Sequence, residues 1–85
     1  MKSEDIVQHV KEHAEALGGE FNLTQKGVPR IIMTGKEMKI SLVYVARSNI
    51  WKAFYPYPSK NQERKYFHSA MDLLIFLTEK GCELP

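Results

Sequence analysis

Hydrophobic positions near the N-terminus recur at a helical spacing. They form one apolar stripe, and the charged residues between them fall outside it. The stripe consists of Ile6, Val10, His13, Ala14 and Leu17. Gly18 and Gly19 follow at once, and glycine is the residue that most often ends a helix. The pattern predicts a first helix over residues 3–18.

A second helical pattern lies near the C-terminus. Ser69 is a good N-cap residue, and Asp72 follows three positions later in a variant of the capping box. The predicted buried stripe consists of Ala70, Leu73, Leu74 and Leu77, and Phe76 broadens it. Gly81 is positioned to end this helix. The pattern predicts a second helix over residues 69–81, with residues 82–85 as a short tail.

The chain between these two helices alternates apolar and polar residues as strands do. Residues 20–25 and 30–34 have short strand patterns, and residues 38–57 contain two longer runs around a turn-like Arg47-Ser48-Asn49. These longer runs predict a β-hairpin, which Pro56 and Pro58 are expected to end. Residues 59–65 are polar and charged without a period, which indicates an exposed loop.

The register of the hairpin decides which of its faces is buried. A three-residue loop at 47–49 fits the residue types, because Asn49 tolerates the left-handed conformation that such a loop needs. This preferred register turns Trp51, Tyr55 and Tyr57 away from the apolar residues Ile40, Leu42 and Tyr44. A two-residue loop at 48–49 would instead join those apolar residues with Trp51, Ala53 and Tyr55.

These elements predict a single α+β domain over residues 1–85. Its order is helix, three- or four-stranded antiparallel sheet, helix, and both helices lie on one sheet face because each has a single apolar stripe. The other sheet face would meet solvent or a partner. The expected core consists of Ile6, Val10, Leu17, Ile40, Leu42, Phe54, Leu73, Leu74 and Leu77.

Charge is unevenly distributed along the chain although the net charge is only +2. Residues 1–20 carry five acids and two bases, and residues 69–85 carry three acids and one base. Residues 21–68 carry nine bases and only two acids. A basic middle segment favours an acidic partner, of which nucleic acid is the commonest.

The sequence contains no pattern typical of an enzyme or of a metal site. His9 and His13 are four residues apart on the first predicted helix, but no HExxH motif accompanies them, so we expect packed or surface histidines. Cys82 follows a helix C-terminus, where the dipole opposes a thiolate. We therefore expect no catalytic activity, no cofactor and no metal. The single cysteine also favours a reducing compartment, and we expect a cytoplasmic location without membrane partners.

Aromatic residues coincide with the basic middle segment. Seven of the nine aromatic residues lie between Tyr44 and Phe67. Aromatic rings stack on unpaired bases while Lys and Arg neutralise phosphates. We expect a small binding or regulatory module that contacts single-stranded nucleic acid through its sheet face and the 59–65 loop. The alternative is a protein-interaction module, such as an adaptor, an inhibitor or a homodimer, that uses the same aromatic face. The candidate contact residues are Lys39, Trp51, Tyr55, Tyr57, Lys60, Arg64 and Lys65.

Overall fold

The computed structural model describes residues 2–85, which form two helices and one five-stranded antiparallel sheet. The strands occupy the sheet in chain order, from β1 to β5. The α+β class is confirmed, but the sheet has five strands rather than three or four. The elements are α1 Ser3–Leu17, β1 Glu20–Leu23, β2 Pro29–Thr34, β3 Lys39–Val45, β4 Ile50–Tyr57, β5 Glu63–Phe67 and α2 Ala70–Glu79.

The ends of both helices follow from their local sequence. Gly18 directly follows α1 with φ at 73°, a left-handed conformation that costs glycine little. The Ser69 hydroxyl accepts a hydrogen bond from the backbone N–H of Asp72 at 3.1 Å and so caps the start of α2. Both predicted helices are confirmed, to within a residue or two at each end.

Both helices cover the same face of the sheet. The helix α1 packs against β1 and β2, and α2 packs against β5. The covered face of the sheet supplies most of the buried strand residues, and these join the buried stripes of the helices in a single cluster. The cluster consists of Val10, Ala14, Leu17, Ile31, Met33, Ile40, Leu42, Trp51, Ala53, Phe67, Leu73, Phe76, Leu77 and Cys82. Ile32 and Ser41 are also buried but lie on the other face. The uncovered side is called the open face below.

The register of the β3–β4 hairpin differs from the preferred prediction. Tyr44 pairs with Trp51 and Val45 with Ile50, so the turn contains the four residues 46–49. Asn49 is left-handed, with φ at 52°, as expected. The three-residue loop is nevertheless wrong, and Trp51 shares the buried face that the alternative register assigned to it. The observed register also keeps the charged Lys52 out of the core, where an unpaired ammonium would be costly.

The last part of β4 contains an irregularity that changes the direction of one side chain. Ser41 pairs with Phe54, whereas Lys39 pairs with Tyr57, so β4 has one extra residue in this interval. The strand continues through Pro56 instead of ending there, which a bulge permits because its extra residue makes no ladder hydrogen bond. The extra residue places Tyr57 on the open face, where its hydroxyl reaches Arg30.

The strand β5 was interpreted from sequence as part of a loop. Its residues Glu63 to Tyr66 are exposed and only Phe67 is buried, so the segment lacks an apolar alternation. It forms the edge of the sheet beside β4, and edge strands commonly carry charged residues that discourage pairing with other chains. The exposed connection is therefore shorter than predicted and covers residues 58–62.

Two predictions about the C-terminal part of the core need correction. Leu74 was expected in the core but is 36% exposed, whereas Phe76, which was expected to broaden the stripe, is buried. Phe54 was also expected in the core but lies on the open face, opposite Ser41. Beyond α2, the predicted tail packs against the domain, since Cys82 is buried and Leu84 contacts the core.

Among the residues described, neither helix has the length and apolar character needed to cross a membrane.

Candidate functional site on the open sheet face

The open face presents a regular lattice of side chains that follows from the strand register. Residues that are paired across neighbouring strands lie in one row, about 4.8 Å apart. Three rows cross the sheet. The first contains Asn22, Arg30, Val43, Lys52 and Tyr66, the second Glu20, Ile32, Ser41, Phe54 and Arg64, and the third Thr34, Lys39 and Tyr57.

Four basic side chains and three aromatic rings lie together on this face. The bases are Arg30, Lys39, Lys52 and Arg64, and the rings are Phe54, Tyr57 and Tyr66. Glu20, at the β1 edge, is the single acid in the three rows. The helices on the other side have the opposite character, since their ranges contain six acids and one base. The fold thus separates a basic sheet face from an acidic helical layer.

A hydrogen-bonded group fixes the position of Arg30. Its Nε donates to Oδ1 of Asn22, and its Nη2 donates to the hydroxyl of Tyr57 at 2.9 Å. The guanidinium carbon also lies 4.9 Å from the centroid of the Tyr57 ring, a cation–π distance. Arg30 and Tyr57 are therefore pre-ordered against the sheet and would lose little side-chain entropy on binding a ligand.

A second base–aromatic pair lies near the β5 edge. The Lys52 ammonium is 5.5 Å from the centroid of the Tyr66 ring, and Tyr66 is 48% exposed. Between this pair and Tyr57, the face has a depression of about 400 Å³. Its lining includes Arg30, Ser41, Val43, Phe54 and Tyr57. The depression offers apolar ring surface bordered by positive charge.

The two predicted aromatic contacts Trp51 and Tyr55 lie on the covered face instead. Trp51 is buried beneath α1, with its ring centroid 5.3 Å from that of His13 and 5.1 Å from that of Tyr44. Tyr55 packs 5.1 Å from Phe76, between ring centroids. Burial raises the pKa of the Tyr55 hydroxyl, and the nearby Glu63 carboxylate raises it further. Neither ring is part of the open face.

The other predicted residues divide between three places. Tyr57, Lys39 and Arg64 lie on the open face. Lys60 is exposed in the 58–62 connection, which adjoins the depression through Pro58, Ser59 and Gln62. Lys65 is on the helix side, with its ammonium 5.5 Å from the centroid of the Phe76 ring.

Sequence reasoning missed four open-face residues, namely Arg30, Lys52, Phe54 and Tyr66. Lys52 and Phe54 were missed because the wrong hairpin register pointed them toward the core. Tyr66 was missed because β5 was not recognised as a strand. The one available signal was Lys52 itself, since a register that buries a lysine is physically unfavourable.

The two histidines of α1 belong to an aromatic cluster. The His9 ring lies 4.3 Å from His13 and 4.5 Å from Tyr44, between centroids. Nδ1 of His13 is 2.9 Å from the carbonyl oxygen of His9. Burial lowers the pKa of His9, as does the neighbouring His13, while Glu12 opposes them. Within the described residues, no three His, Cys, Asp or Glu side chains are grouped to hold a metal ion.

The lowered pKa of His9 predicts that acid destabilises the fold. The unfolded chain takes up this proton first, near the ordinary value of 6.5, so the stability that neutral His9 provides is complete above that pH. It is lost as the pH falls through the lower pKa of the folded state. We expect the free energy of unfolding to decrease between pH 7 and 5 less steeply in His9→Gln than in the wild type. Urea titrations at several pH values would measure this difference.

The exposed His68 supplies the matched control for that titration. His68→Gln should retain the pH dependence of the wild type. An identical loss of pH dependence in both variants would contradict the assignment to His9.

Comparison of the chain with family models, with curated proteins and with solved structures gives no match.

Proposed function

We propose that this domain is a non-enzymatic module that binds single-stranded nucleic acid on the open face. The observation that supports it best is the meeting of four bases with three aromatic rings on one uncovered sheet surface. Lys and Arg neutralise phosphates, and aromatic rings stack on bases of any sequence. The module would therefore bind with little dependence on base sequence.

The dimensions of the face suit a short single strand. Five strands span about 19 Å across a sheet, and successive residues on one face of a strand are about 7 Å apart. The exposed ring of Tyr66 and the half-buried ring of Tyr57 lie on different strands, and Tyr57 lines the depression. Bases in a duplex are already stacked on one another, so only unpaired bases can use these rings.

The charge of the face favours nucleic acid over the alternative protein partner. The cores of protein interfaces are depleted of charged residues, whereas nucleic-acid interfaces are strongly positive. Here Arg30 and Lys52 stand in the same row as Val43, and Arg64 lies beside Phe54. A partner that covered the rings would also have to remove water from these lysine and arginine side chains. The phosphates of a nucleic acid compensate that cost directly.

Anisotropy of labelled ten-nucleotide RNA and DNA strands across a salt series tests the proposal. We expect binding at low salt that weakens steeply as salt rises. Tyr66→Ala should lose roughly 1–3 kcal/mol of affinity, the usual effect of one stacked ring. Tyr66→Phe is the matched control, because it keeps the ring and should bind like the wild type.

Light scattering on the same samples distinguishes the rival interpretation. Absence of oligonucleotide binding at low salt, together with a dimer that Tyr66→Ala dissociates, would replace the nucleic-acid proposal with a protein interface on the open face.

A further inference from the structure

The helical layer contains an apolar groove on the side of the domain opposite the open face. It lies between α1 and α2 and has a volume of about 510 Å³. His13 and Ala16 line it from α1, Leu73 and Leu74 from α2, and Trp51 from the sheet. Such a volume and such an apolar, aromatic lining are typical of a binding site rather than of a packing defect.

The helix α2 carries more apolar surface than its packing on the sheet requires. Leu73, Phe76 and Leu77 form its buried stripe. A second stripe contains Met71, Leu74 and Ile75, which are 66%, 36% and 49% exposed. These positions have the i, i+3, i+4 spacing of one helix face. Leu74 belongs to the groove lining, so Met71 and Ile75 extend the groove outward into a continuous apolar patch, which usually meets a partner.

Acidic side chains border this apolar surface on its α1 side. Glu12 is four positions before the groove residue Ala16, and Asp5 is seven before Glu12, so all three share one stripe of α1. The one base of α1, Lys11, lies 5.7 Å from the centroid of the Phe21 ring on β1. On the far side of α2, Asp72 and Glu79 share a depression with the base Lys65, so the charge there is mixed. The negative border of the groove is therefore the one that α1 provides.

We propose that this groove docks a basic amphipathic helix of a protein partner. The apolar face of such a helix would lie along Leu74 and above Trp51, and its lysines or arginines would meet Glu12 and Asp5. This is the usual helix-in-groove mode of recognition. The helix α2 has ten residues and is therefore about 15 Å long. A docked helix could contact it over about three turns.

The same charges argue against a second copy of this chain as the occupant. Two copies that met through this groove would bring the acids beside it, Asp5 and Glu12, of both copies into one interface. Like charges facing each other across an interface cost several kcal/mol. A basic helix would also be repelled by the open face, so the two surfaces select different partners. The proposed partner and a nucleic acid could bind at the same time.

Synthetic peptides of eighteen residues provide the test. One places leucines at i, i+3, i+4 and i+7 with lysines on the other face, one has the same composition in scrambled order, and one replaces the lysines with glutamates. Trp51 is the single tryptophan of the chain and lines the groove, so its fluorescence reports binding at this site. We expect the ordered basic peptide to shift the Trp51 emission and to bind at least tenfold more tightly than either other peptide.

Two pairs of variants locate the binding surface. Leu74→Gln should weaken the basic peptide at least tenfold, whereas Leu23→Gln, the same change at an exposed leucine of β1, should leave binding unchanged. Glu12→Lys should weaken it more than Glu15→Lys, which changes the same charge on the side of α1 away from Ala16. Circular dichroism confirms that each variant is folded.

Three results would overturn the proposal. The scrambled peptide binding as tightly as the ordered one would indicate attraction by charge alone. Equal effects of Leu74→Gln and Leu23→Gln would remove the groove from the interface. Self-association that Leu74→Gln abolishes would show that a second copy occupies the groove.

Discussion

Replacing Trp51 with alanine should lower the free energy of unfolding by about 3–5 kcal/mol, a large part of the stability of so small a domain. The indole is only 7% exposed and belongs to the core cluster beneath α1. Its removal would leave a cavity bordered by His13 and Tyr44, whose rings now pack against it. Urea denaturation followed by circular dichroism measures the change, since the fluorescent reporter is lost with the residue.

Trp51→Phe is the control for this experiment. It keeps an aromatic ring in the core and should retain most of the stability that alanine loses. The hypothesis drawn from sequence assigned Trp51 to nucleic-acid stacking, and it makes a different prediction. A Trp51→Ala protein of unchanged stability that no longer bound oligonucleotides would show that the indole faces the ligand, contrary to the structure.

The helices could be predicted from sequence because their signals are local. The stripe that contains Val10 and Leu17 has a helical period, and Gly18 and Ser69 mark helix ends with conformational and hydrogen-bonding preferences of their own. None of these signals depends on the rest of the fold. The α+β class follows once strand patterns are recognised between the two helices.

The register of the hairpin could not be predicted because both faces of β4 carry apolar residues. Ile50 and Phe54 alternate with Trp51, Ala53 and Tyr55, so either set could join the apolar face of β3. The choice then rests on the length of the turn, and a one-residue error there reverses every side chain of β4. The error assigned Trp51 to the open face and Phe54 to the core, which is the reverse of their positions in the structure.

The edge strand and the second helix show a different limit of sequence patterns. The segment β5 is a strand because it pairs with β4. Its exposed residues, such as Arg64 and Tyr66, show no apolar alternation from which a strand could be predicted. In α2 both Leu73 and Leu74 are apolar, and only the packing shows which one is buried. A helix that is apolar on two sides has one more hydrophobic face than its own domain needs.

The separation of charge between the two faces connects the two proposed surfaces. The sequence already showed a basic middle and acidic ends, and the fold turns this order into a basic sheet face and an acidic helical layer. Net charge alone would attract neither nucleic acid nor a basic helix strongly, because it is only +2. Placement of the charges, rather than their sum, must therefore decide binding, and this can be tested directly.

The double variant Lys52→Glu/Arg64→Glu should weaken oligonucleotide binding on the order of 100-fold at low salt, because it removes two phosphate contacts and adds two repulsions. The slope of log affinity against log salt should also decrease by about two units, one for each lost contact. Both residues lie on the open face, where Lys52 is next to Tyr66 and Arg64 next to Phe54. Anisotropy across a salt series measures both quantities.

The matched variant is Lys2→Glu/Lys36→Glu, which has the same net charge. Both lysines are exposed and lie outside the three rows of the open face, Lys2 before α1 and Lys36 between β2 and β3. Near 0.1 M salt it should keep most of the wild-type affinity and salt slope, since only long-range attraction is reduced, and salt of about that concentration screens it beyond about 10 Å. Equal weakening by the two double variants would mean that binding follows total charge. In that case the arrangement of bases around Phe54, Tyr57 and Tyr66 would not be the binding surface.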